Sequence, residues 1–101
     1  MNAIAEKIHL IEQLSSNPTA TNLLLDKVIE CLVDNDRRKL EGFREKLAAF
    51  ELQHGMSTAQ FQQRFDSGEL GDAPDWFDWD GYAALAASLE SKLADVGVLR
   101  G

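Results

Sequence analysis

Apolar residues recur at three- and four-residue spacings through nearly the whole chain, the period of a helix with one buried face. Ile4, Ile8, Ile11 and Leu14 open the pattern, and Ser15-Ser16-Asn17-Pro18 interrupts it with turn formers. Asn17 can cap a second helix whose first residue is Pro18, where a missing N–H does no harm. From there Leu25, Val28, Ile29, Leu32, Leu40, Phe43, Leu47 and Phe50 keep the period, interrupted only around Asp36, up to a natural stop at Gly55. The pairs Asp34 with Arg38 and Asp36 with Lys39 support an unbroken helix through this polar middle. A fresh helix starting at Asn35 would set Arg37 and Arg38 at its positive end, which the dipole disfavours.

The next boundary is sharper. Ser57 and Gln60 form a capping-box pattern, and Met56 and Phe61 occupy the two positions of a hydrophobic staple. A short helix is therefore expected from Thr58 to about Ser67, closed by Gly68 and followed by a tight connection at Gly71. Asp72 can cap the last helix, with Asp75 suited to its positive end. That helix carries Trp79, Tyr82, Leu85, Leu89, Leu93 and Val96 along one stripe and is expected to stop at Gly97. No segment alternates as a strand does.

The expected fold class is therefore all-α: a long helix or helical hairpin, then a short helix and a C-terminal helix. These form a single domain over 1–101, with N-terminal helices over 1–55 and the rest over 56–97. A helix from Pro18 to His54 would be about 55 Å long at 1.5 Å per residue. A compact domain of this size has a radius of gyration of about 13 Å. The stripe from Leu25 to Phe50 is thus expected to project beyond the core and to be covered by another chain, which makes the protein extended or homo-oligomeric, with coiled-coil contacts.

Composition agrees with a folded chain: 45% of the 101 residues are apolar and 27% charged. The single Cys31 has no partner for an internal disulfide and reads as a packing residue. No positively charged start followed by a long apolar run is present, so no membrane span and a cytoplasmic location are expected.

Charge changes the picture once it is located. The net charge is -7, and Asp66, Glu69, Asp72, Asp75, Asp78 and Asp80 carry six of those charges within DSGELGDAPDWFDWD. Affinity for phosphates comes mainly from lysine and arginine, so direct nucleic-acid binding is not expected. A calcium loop needs oxygen ligands at positions 1, 3, 5 and 12. With Asp78, Asp80 and Gly81 at positions 3, 5 and 6, position 1 is Trp76 and position 12 is Ala87, and the match fails. No histidine lies near the carboxylates in sequence; His9 and His54 read as bland surface or boundary residues. No catalytic constellation, metal site or cofactor is expected.

Binding is the remaining chemistry. Phe61 and Phe65 read as core where the last two helices meet. Trp76, Phe77 and Trp79 are three aromatics within four residues, more than one helix of a small domain is expected to bury. Aromatic anchors ringed by carboxylates suit a basic protein surface. The candidate partner-binding residues are Glu69, Asp72, Asp75, Trp76, Phe77, Asp78, Trp79, Asp80 and Tyr82.

The stretch HGMSTAQFQQRFDSGELGD, followed by DWFDW, also resembles a pattern in small bacterial and archaeal proteins identified as antitoxin components of toxin-antitoxin modules. There a helix leads to G-M-S, an F-x-x-x-F helix, S-G-E-L-G-D, an acidic F-x-W and a final helix; the resemblance covers about residues 40 to 90. It implies a neutralising partnership with a cognate toxin, commonly an RNA-cleaving one, and no enzymatic activity in this chain. The alternative left open is a helical structural or adaptor protein acting through homo-oligomeric contacts.

Overall fold

A computed structural model describes residues 2–100. Among them the chain forms four helices and no strand: α1 (Ala3–Leu14), α2 (Pro18–His54), α3 (Thr58–Asp66) and α4 (Pro74–Arg100). The fold class is all-α, as expected. Packing divides the chain inside α2, into Met1–Asp34 and Asn35–Gly101.

The first unit comprises α1 and the start of α2. Asn2 Oδ1 accepts from the Ile4 N–H at 2.8 Å and Asn17 Oδ1 from that of Ala20 at 3.2 Å, so each helix begins on an asparagine cap. The Ser15 and Thr21 hydroxyls share a 2.6 Å hydrogen bond across the turn. Among the described residues of this unit only Val33 is buried. Cys31 is exposed and does not take the packing role expected of it.

The second unit has a core. Asp36, Leu40, Phe43, Leu47, Phe50 and His54 are its inward positions on α2, alternately four and three residues apart. They face α4 running antiparallel: Phe50 lies on Trp79, Phe43 against Tyr82, Arg44 Nη2 3.1 Å from Glu90 Oε1, and Lys92 Nζ 2.6 Å from Asp36 Oδ2. This corrects part of the expectation for the long helix. The stripe from Leu40 to Phe50 is covered by α4 of the same chain, because the sequence returns its own apolar helix to it. Asp36, which interrupts the pattern, sits inward and meets Lys92 instead of the expected Lys39.

The last helix differs from expectation in three details. It starts at Pro74, with Ala73 at the cap position and the Trp76 N–H donating to the Ala73 carbonyl at 3.1 Å. Proline suits the first helical position, and Asp72 is displaced from the cap. Its buried stripe is Trp79, Ala83 and Ala86, with Leu85 exposed. At 100° per residue, Leu85 stands about 120° from Trp79, whereas Ala83 and Ala86 return to its face. Finally, Gly97 is helical and α4 continues to Arg100.

Helix α3 forms as its caps dictate. Ser57 Oγ accepts from the Gln60 N–H while Gln60 Oε1 accepts from that of Ser57, at 3.1 and 2.9 Å. At its end the Glu69 N–H donates to the Arg64 carbonyl and the Gly68 N–H to that of Phe65, both at 3.1 Å. These are the paired bonds of a glycine-terminated helix, and Gly68 carries the required positive φ of 79°. A Cβ at Gly68 would meet no atom within 4 Å, so substitution there costs backbone strain alone. Gly68→Val should lower unfolding stability by about 1–2 kcal/mol, read as a lower urea midpoint at unchanged slope. Coincident transitions for the two proteins would contradict this.

Candidate functional site

The acidic aromatic stretch spans the α3–α4 connection and the first turns of α4. Helical rotation sorts its aromatics. Trp76 and Trp79 are three residues apart and share a face, while Phe77 stands about 160° from Trp79.

Trp79 is fully buried. Its indole stacks on Phe61 of α3, centroids 4.1 Å apart and planes within 4°, and on Phe50 of α2 at 5.5 Å and 9°. Its Nε1–H donates to Thr58 Oγ1 at 3.1 Å, and the Thr58 N–H donates to Glu51 Oε2 at 2.7 Å, tying the start of α3 to α2. Trp76 is half-buried, donating from Nε1 to the Leu70 carbonyl at 3.1 Å, its ring 4.6 Å from that of His54. Tyr82 is half-buried against Phe43 and Phe50. Trp79, expected as a partner anchor, is therefore a core residue, and Trp76 and Tyr82 serve the core on one side. Three helices converge here, so one helix does not bury the aromatics alone.

Phe77 is the aromatic left outside, 55% exposed. Its ring meets Phe65 edge-on at 5.4 Å and 87°, and Phe65 in turn lies on Phe61 at 5.4 Å. The side chain is thus braced by the core without being enclosed. Gly81 and Leu85 follow at i+4 and i+8 on the same outer face, and both are exposed.

The carboxylates separate into two groups. Asp75 Oδ2 lies 3.4 Å from His54 Nε2, beyond good hydrogen-bond geometry, and Glu69 Oε2 lies 3.7 Å from Arg64 Nε. Glu69 is thus partly compensated by Arg64, and Asp75 has an imidazole beside it. Among the described residues no cation is placed against Asp72, Asp78 or Asp80. Asp78 and Asp80 flank the Phe77 face on either side of α4, Asp78 exposed and Asp80 half-buried.

No protein-family model, curated protein or solved structure matches this chain. No group of three or more histidine, cysteine or acidic side chains among the described residues could hold a metal ion. No helix among the described residues is long and apolar enough to cross a membrane.

What the geometry offers is an apolar strip, Phe77, Gly81 and Leu85, edged by carboxylates and mounted on a stacked aromatic base. Sequence pattern missed Leu85, which it assigned to the core, and His54, which it took as bland. The signal for Leu85 was its phase relative to Trp79. His54 had none, because Asp75 and Trp76 approach it from another helix.

Trp79→Ala should cost about 3–5 kcal/mol by opening a cavity at the junction of three helices. Phe77→Ala should cost only about 1–2 kcal/mol, the worth of one edge-on aromatic pair and of a half-exposed ring. Urea titration of both variants checks the contrast, and equal losses would contradict the separation into base and strip.

Proposed function

We propose that this chain is a non-enzymatic binding protein whose acidic aromatic edge holds a basic surface of a protein partner. The observation that carries the reading is Phe77, exposed and braced by Phe65, between the uncompensated carboxylates Asp78 and Asp80. An aromatic ring held still loses little freedom on binding, and carboxylates around it attract a cationic surface and reject an anionic one. The resemblance of residues 40 to 90 to antitoxins names the class of partner: a cognate toxin, of the kind that cleaves RNA. Such a toxin presents a basic groove to phosphates. A strip of carboxylates and an aromatic face can occupy that groove in place of RNA.

The roles within the edge follow from exposure. Phe77 is the anchor, Leu85 and Gly81 extend the apolar contact, and Asp72, Asp78 and Asp80 steer the encounter. Asp75, Glu69, Trp76, Trp79 and Tyr82 act indirectly, by holding the edge in shape. The adaptor reading draws support from the exposed apolar residues of the first unit, and it is compatible with a binding edge in the second.

Co-expression with the product of the neighbouring gene tests the proposal. The normal chain should rescue growth, and Phe77→Ala should weaken the purified complex by about 2 kcal/mol, near thirtyfold in Kd. Asp78→Asn with Asp80→Asn should instead slow association and flatten its salt dependence. Binding that survives both sets of substitutions undiminished would remove the edge from the interaction.

A further inference from the structure

His54 is the last residue of α2, and among the described residues its Nε2 is a buried polar atom with no hydrogen-bond partner. Folded proteins pair nearly all such atoms, so an orphan of this kind has a cause. Asp75 Oδ2, in the first turn of α4, stands 3.4 Å away. A neutral imidazole uses that carboxylate poorly in either tautomer. With the hydrogen on Nδ1, a lone pair of Nε2 faces a second acceptor; with the hydrogen on Nε2, the donor stands farther off than the roughly 3.2 Å of a good bond.

We propose that the contact between His54 and Asp75 is a proton-operated latch joining the end of α2 to the start of α4. One proton taken from solvent makes both ring nitrogens donors, Nε2–H donates to Asp75 Oδ2, and the two helix ends are tied by a charge-assisted bond. The surroundings of the ring favour its cation. His54 lies in the last turn of α2, the negative end of that helix, and Asp75 in the first turn of α4, the positive end. The rings of Trp76 and Trp79 lie 4.6 and 5.6 Å from the imidazole, and aromatic faces attract a cation. On α2 itself the nearest acid along the same face is Glu51, whose Oε2 is taken by the Thr58 N–H. On α3, Arg64 is held by Glu69, and Asp66 makes no ion pair with the imidazole. Burial opposes the charge, but the side chain keeps 20% of its surface exposed, a route for the proton.

The unfolded chain offers the imidazole neither the carboxylate nor the helix end. Folding therefore takes up a proton across the histidine range, between about pH 8 and pH 5. The contribution is present at the acid end of that range and is lost as pH rises. It depends on the packing of the second unit alone and not on what the acidic edge binds.

Urea unfolding of the full chain at about pH 5.5 and about pH 8 tests this. Tryptophan fluorescence is the readout, since Trp76 and Trp79 are the only two tryptophans and both lie in this unit. Other groups titrate as well, so the measure is the folding constant of the normal chain divided by that of Asp75→Asn. This ratio should rise about threefold to tenfold from the higher pH to the lower. In the His54→Phe background, which keeps a ring in the aromatic stack, the same substitution at Asp75 should give a ratio that does not change with pH. A ratio in the normal background that stays constant or falls on acidification would overturn the latch, whether or not His54→Phe folds. A rise that persists in the His54→Phe background would place the proton on another group and overturn it too.

Discussion

The face-to-face contact between the Trp79 indole and the Phe61 ring, 4.1 Å apart and nearly parallel, fixes the geometry of the second unit. Both rings are 0% exposed, and each belongs to a different helix. Phe50 closes the other face of the indole from α2, and Thr58 accepts its only polar hydrogen. Burying a large aromatic is worth about 1.5–3 kcal/mol, with about 0.5–1.5 more for each well-placed ring pair. The ion pair between Arg44 and Glu90 is exposed on both sides and adds about 0–1 kcal/mol. The aromatic junction therefore sets the phase of α4, and charge pairs only follow it.

That phase has a functional consequence. Once Trp79 faces inward, helical rotation sends Phe77, Gly81 and Leu85 outward and leaves Asp78 and Asp80 at their sides. The same residues in another phase would bury carboxylates, at a cost no nearby cation offsets. A core contact thus determines which aromatic stays outside.

Features that depend on residues close together along the chain were legible in its sequence. The asparagine cap before Pro18, the Ser57–Gln60 box and the Gly68 terminus each depend on residues within a few positions, and each formed where the pattern required. Features set by distant residues were not legible. Hydropathy favoured Leu85 for the core, but Ala86 holds the inward position because the phase is fixed by rings on α2 and α3. Asp36 looked like a surface residue pairing along its own helix; its partner Lys92 lies on α4. All three clustered aromatics were candidates for exposure by sequence, and only the converging helices decide that Phe77 remains outside.

Native-state hydrogen exchange over residues 58–83 tests the central claim most directly, since amides report which elements open together. If the Trp79–Phe61 contact supports both helices, amides in the middle of α3 and in the second and third turns of α4 should exchange with one common free energy, equal to that of unfolding the unit. If α3 amides instead exchange freely while those of α4 stay protected, the junction does not hold the two together. The acidic edge would then lack the base from which its geometry was derived.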